Sequence, residues 1–151
     1  MIVELEAIRK EATAALPDIM RLILTSIDGF EFKFIRCRIK PIESINEKMK
    51  TLDVGIEGIY DLIGFCIVIP NESNCYDILE CIKKSRDISV YNVRDYIEEP
   101  ADLNKYQAIH IHFKHKELFG EIQVRTIDMN IKAERDYREY KKGMFAEKSS
   151  Q

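Results

Sequence analysis

The sequence lacks any apolar run long enough to span a membrane, and its opening, MIVELEAIRKEA, is charged throughout. The first absence excludes a transmembrane helix, and the second argues against a signal peptide. Basic charge is not in excess: 23 Lys and Arg face 26 Asp and Glu, a net charge of −3, so nothing marks a general binder of nucleic acid. Cys37, Cys66, Cys75 and Cys81 have no C-x-x-C spacing and no histidine at zinc-like spacing beside them. They read as reduced, mostly buried thiols of a cytoplasmic protein. No internal repeat is visible, and low complexity is confined to a polar tail, AEKSSQ, expected to fray. What is there is ordinary for a globular domain: 46% hydrophobic, 32% charged and 9% aromatic residues over 151 positions. One domain over 1–151 is expected, with N-terminal helices in 1–28, a sheet region in 30–126 and a C-terminal helix in 128–148.

Apolar spacing predicts a helix over 2–15 through Ile2, Leu5, Ile8 and Ala12, and Pro17 starts a second short helix to about Leu24. After a turn at Asp28-Gly29, residues 30–39 alternate as a strand with Phe30, Phe32 and Phe34 on one side. A helix follows Pro41, with Ile42, Ile45, Met49 and Leu52 at helical spacing. DLIGFCIVI, residues 61–69, reads as a strand buried on both faces. Asn74 caps the next helix, and residues 90–95 form a short strand. QAIHIHF and GEIQVRT make a hairpin, and the last helix carries Met129, Ala133, Tyr137, Tyr140 and Met144 along one stripe. The order is that of an α+β domain around one sheet.

Strand alternation gathers polar residues into rows. Glu121, Gln123 and Arg125 share one face of their strand, and His110 and His112 share one face of the other. Such a hairpin is either half-exposed or the floor of an active site. In RCRIKPIESINEKMK, residues 36–50, Arg36, Arg38 and Lys40 alternate on a strand, while Ser44 and Lys48 share a helix face. With the helix N-terminus they form either a polyphosphate cradle or a solvated basic strand end. Asp61 opens the most hydrophobic strand, as a magnesium ligand or as a turn cap. Tyr106 ends a loop four residues before His110, where an aromatic ring stacks on a base or packs as an ordinary surface tyrosine.

In this order, RIKPIESINEKM, YDLIGFCIVI, NCYDILECI, VRDYIEEP with YQAIH, and EIQVRTIDM resemble the synthetase domain of the RelA/SpoT family, above all its small alarmone synthetases. The resemblance spans residues 36 to about 134. It implies a nucleotidyltransferase-like fold, with a mixed, largely antiparallel sheet flanked by helices. It implies transfer of pyrophosphate from ATP to the 3′-OH of GDP or GTP, with Mg²⁺, giving (p)ppGpp and AMP. By the same resemblance Arg38 would stack on adenine, and Lys40, Ser44 and Lys48 would hold the ATP phosphates. Asp61 and Glu121 would bind the metal, with Glu121 also activating the acceptor hydroxyl. Tyr106 would stack on guanine, with His110, Gln123, Arg125 and Lys105 on the acceptor side. A homo-oligomer assembled through terminal helices is implied as well.

Three departures stand out. Cys66 occupies the place of a family arginine that completes the adenine clamp. The acceptor loop, usually P-K-x-N-G-Y-x-S-x-H, reads PADLNKYQAIH, so that Ala101, Lys105 and Ala108 replace lysine, glycine and serine. Asn130 follows EIQVRTIDM where an acidic residue or histidine is usual. These departures keep two alternatives open: a catalytically weak nucleotide-binding module, and the same transfer to an adenosine nucleotide or a tRNA 3′ end.

Overall fold

The computed structural model describes the backbone of residues 2–149 and the side-chain surroundings of residues 3–143. Helix α1 (Ile2–Ser26) leads into β1 (Phe34–Ile39), α2 (Ile42–Leu52) and, after a short 3₁₀ turn, β2 (Ile63–Ile69). Then come α3 (Glu72–Lys83), β3 (Ser89–Asp95), β4 (Ile109–His115), β5 (Leu118–Thr126) and α4 (Ile127–Ser149). The strands form one five-stranded sheet in the order β1-β2-β5-β4-β3. Only the β2–β5 pair is parallel. This is the expected mixed, largely antiparallel α+β architecture. Among the described residues, no helix is long and apolar enough to cross a membrane.

The sheet has one dry face. Ile63, Phe65, Ile67 and Ile69 of β2, Ile122 and Val124 of β5, and Ile109, Ile111 and Phe113 of β4 are buried there. They pack with Leu5, Ala12, Ile19 and Ile23 of α1 and Cys75, Ile78 and Ile82 of α3 in one cluster. Burying each of the larger side chains contributes about 1.5–3 kcal/mol. The opposite face keeps the polar members of β4 and β5, while β2 is buried there too through Cys66 and Val68, as expected for this strand.

Gly120 lies where this core is tightest. A Cβ there would stand 2.4 Å from Phe113 Cζ and 2.9 Å from the Ile63 carbonyl oxygen. Neither the core ring nor the backbone of β2 has room to yield. Gly120→Ala should cost about 2 kcal/mol, read as a lower midpoint in urea unfolding, and an unchanged midpoint would refute this account of the packing.

Four local expectations are corrected. The two N-terminal helices are one, with Pro17 inside α1. Pro17 is exposed, so its missing N–H and its ring fall on the solvent side, while Ala12, Ile19 and Ile23 carry the buried stripe past it. Strand β1 begins at Phe34 rather than Phe30. Its partner β2 ends at Ile69 and is followed by Pro70, which has no amide to offer, and Phe32 is left exposed. The N-cap of α3 is Asn71, in extended conformation directly after Pro70, and Asn74 lies within the first turn. In α4, Met129 is buried but Tyr137 and Tyr140 are largely exposed, so the expected stripe leaves the core after Ala133. The expected fraying of AEKSSQ and the place of Met144 in the stripe concern side chains outside the described residues, although the backbone helix continues through Ser149.

Candidate active site

Cross-strand register turns the polar alternation into rows. Arg38 pairs with Gly64, Gly64 with Glu121, and Glu121 with His112. Next to it run Arg36, Cys66, Gln123 and His110. The two polar rows of the hairpin therefore share one face. Arg36, Arg38, Asp61, Cys66, Glu121, Gln123, Arg125 and Tyr137 line a cavity of about 370 Å³ over it. Gly64 keeps its floor clear: the Arg38 side chain lies 3.6 Å from where a Cβ would stand.

Glu121 is hydrogen-bonded at both oxygens. Its Oε2 accepts from His112 Nε2 at 2.8 Å, and its Oε1 accepts from Gln123 Nε2 at 2.8 Å. Burial pushes its carboxyl up, but nearby His110 and the bonds from Gln123 and His112 outweigh burial and hold it below the usual carboxylate range. His110 itself is driven below the ordinary histidine value by burial, against the pull of Glu121.

Arg125 braces this arrangement from behind. It donates to Gln123 Oε1 and to Asn130 Oδ1, the latter at 3.4 Å. A guanidinium on one side and a carboxylate on the other admit a single orientation of the Gln123 amide. The Nε of Arg125 is buried without a partner, and its guanidinium lies 5.8 Å from the Tyr106 ring centre. Asn130, where the family usually has an acid or histidine, is buried as this support. The Tyr106 hydroxyl lies 2.7 Å from His110 Nε2, and burial pushes it up to about 12. Tyr106, Gln123, Arg125, Asn104, Tyr137 and Tyr140 line a second cavity of about 390 Å³, so Gln123, Arg125 and Tyr137 border both lobes.

The basic cradle is arranged differently from a free phosphate site. Lys40 Nζ and Lys48 Nζ each lie 2.9 Å from a different oxygen of Asp61. Burial raises the Asp61 carboxyl, and the bonds from Lys48 and Lys40 more than reverse it, leaving it below its ordinary value. Asp61 lines the first lobe with the two lysines behind it; Ser44, half-buried one turn before Lys48, lines neither lobe. Lys105 is exposed, lines neither lobe and has a left-handed φ of 56°. Its amide is tied to the Ala101 carbonyl at 2.9 Å. It thus keeps the backbone conformation that suits glycine while sending its side chain to solvent. Among the described residues, no group of three or more His, Cys, Asp or Glu side chains is placed to hold a metal. Two carboxylates facing one cavity do suit Mg²⁺, which completes its shell with substrate oxygens and water.

The family described as "Region found in RelA / SpoT proteins" matches residues 37–144. The chain belongs to the RelA/SpoT family. A probable guanosine-3′,5′-bis(diphosphate) 3′-pyrophosphohydrolase of Mycoplasma genitalium is 33% identical over 118 residues, covering 74% of this chain and 16% of that protein. The chain thus spans about a sixth of that relative's length. The solved small alarmone synthetase 2 of Bacillus subtilis has a TM-score of 0.77 at 27% identity, covering 90% of this chain and 78% of that one. A GTP pyrophosphokinase family protein of Streptococcus pneumoniae has a TM-score of 0.78 at 24% identity, covering 92% and 76%, a likeness of fold.

Within this RelA/SpoT fold, three site residues escaped the reading by resemblance. His112 bonds Glu121 directly; its signal was its place in the same row as His110. Arg36 lies opposite Cys66, bonded to Glu134 at 2.7 Å, which holds the guanidinium above and the carboxyl below their usual values. Its signal was the R-C-R alternation with Arg38. Asn92, whose amide nitrogen lies 3.1 Å from His112 Nδ1, had no signal at all.

Proposed function

We propose that the chain is an alarmone synthetase, transferring pyrophosphate from ATP to the 3′-OH of GDP or GTP to give (p)ppGpp and AMP. The observation that carries this reading is Glu121: an ionised carboxylate held by two donors, in one lobe with Arg38 and Asp61, beside a second lobe walled by Tyr106. Two lobes meeting at Gln123, Arg125 and Tyr137 suit two nucleotides brought together at their reacting ends.

In this reading Arg38 stacks on adenine in the first lobe. Arg36, the neighbouring guanidinium opposite Cys66, supplies a second cation where the family arginine is missing. Lys40 and Lys48 share their charge between Asp61 and the triphosphate, while Ser44, which lines neither lobe, has no assigned contact. Tyr106 stacks on guanine, while His110, Gln123 and Arg125 orient the ribose and phosphates. Glu121 takes the proton of the 3′-OH as its oxygen attacks the β-phosphorus, and the bond to the α,β-bridging oxygen breaks with its electron pair leaving on AMP. Mg²⁺ held by Asp61, Glu121 and phosphate oxygens would supply neutralisation of charge on the triphosphate.

The test is AMP release and product identity with Mg²⁺, terminally labelled ATP and, separately, GDP, GTP, ADP or bulk tRNA. Label appearing on a guanosine nucleotide is the expected result. Label on ADP or tRNA alone would keep the chemistry and replace the acceptor. No AMP from folded, nucleotide-binding protein would overturn the synthetase reading in favour of a binding module.

A further inference from the structure

We propose that Asn92 and His112 are a positioning pair that aims the Glu121 carboxylate, with His112 Nε2 donating to Glu121 and Nδ1 facing the Asn92 amide. This rests on the reading of Glu121 as the proton acceptor. An ionised carboxylate offers only acceptors, so the 2.8 Å contact between His112 Nε2 and Glu121 Oε2 requires the proton on Nε2. At the other edge of the ring, the Asn92 amide nitrogen lies 3.1 Å from Nδ1. An amide N–H donating there needs a lone pair on Nδ1, which fits the same tautomer.

The backbone is shaped to make this contact. Strands β3 and β4 lose register between Val90 and Asn92, so Tyr91 is an extra residue in β3. Without that bulge, Tyr91 and Asn92 would point to opposite faces. With it, Asn92 stands directly opposite His112 while Val93 returns to pair with Ile111. The Tyr91 ring lies 6.1 Å from the His112 ring, and Phe119 meets Tyr91 edge-on at 5.9 Å. The imidazole is thus fixed by a hydrogen bond at each edge and an aromatic wall. The result is a fixed direction for one Glu121 oxygen, and Gln123 fixes the other.

The full chain contains three histidines, so the imidazole nitrogens are readily assigned by NMR on isotope-labelled protein, replacing each histidine in turn. His112 should show its proton on Nε2, and Asn92→Leu should shift the Nδ1 resonance as that nitrogen loses its amide donor. A proton on Nδ1 in the unaltered protein, or a spectrum unmoved by Asn92→Leu, would overturn the assignment. In the AMP assay, His112→Leu should lower kcat about 10- to 100-fold with KM unchanged, the usual scale for partners that orient a functional carboxylate. His112→Gln, whose amide still donates, should restore most of that loss. Equal activity of the leucine variant and the unaltered protein would overturn the positioning role. Absence of AMP from the unaltered protein would refute the transfer reading alone, because the tautomer is read without turnover.

Discussion

Glu121→Gln should lower AMP formation by about 10²- to 10⁴-fold, the scale of a lost general base, while nucleotide binding stays close to that of the unaltered protein. Glutamine keeps the shape of glutamate but removes the charge and the basic lone pairs. It also disturbs a fitted set of donors. Glu121 accepts from His112 on one oxygen and from Gln123 on the other, so an amide nitrogen at either place meets a donor. The side chain must turn away from one partner, which adds misorientation to the loss of basicity. The loss should therefore appear in kcat, with binding of ATP and GDP by calorimetry showing little change. Activity within a few-fold of the unaltered protein would sink the assignment of Glu121 as base. A parallel collapse of binding would instead make Glu121 a substrate-holding residue.

What the sequence made legible follows from how local each signal is. The row Glu121–Gln123–Arg125 is a period-2 pattern within one strand, and it survives intact because strand faces are set by backbone geometry. That His110 and His112 join the same face depends only on the hairpin, whose turn is two residues long. Position along a helix was less legible. Pro17 reads as a helix start, yet α1 runs through it because the proline faces solvent and the buried stripe continues past it. Contacts between distant segments left no local trace. Asn92 reaches His112 through a bulge, an event of strand pairing that no spacing within 89–95 announces. Arg36 meets Glu134 from nearly a hundred residues away, and both lysines of the supposed phosphate cradle turn out to hold Asp61. Alternation thus foretold which side chains share a face, but not which would pair.

Asp61→Asn should destabilise the fold by about 3 kcal/mol at neutral pH, the lower end for removing one partner of a buried ion pair. The cost comes from the lysines left behind. Lys40 is buried with its Nζ 2.9 Å from Asp61 Oδ2, and asparagine leaves that ammonium with a dipole in place of a charge. Lys48 is more exposed and loses less. The pH dependence carries the sign. The folded Asp61 carboxyl titrates below its ordinary value of 3.8, so its contribution is complete above that value and is lost as pH falls through the lower, folded one. Urea unfolding of the two proteins should therefore differ by a constant amount near neutrality and converge in acid, where protonated Asp61 resembles asparagine. A gap that persists undiminished in acid would show that shape, not charge, holds the site. Removing the stranded charge as well supplies the second check. Lys40→Met in the Asp61→Asn background should recover part of the stability, since an apolar side chain of similar length needs no counter-ion. It should recover none of the AMP formation, because in the proposed reaction Asp61 and Lys40 both serve the triphosphate. Stability regained without activity would separate the two duties of this aspartate, holding the fold's buried cation and facing the nucleotide.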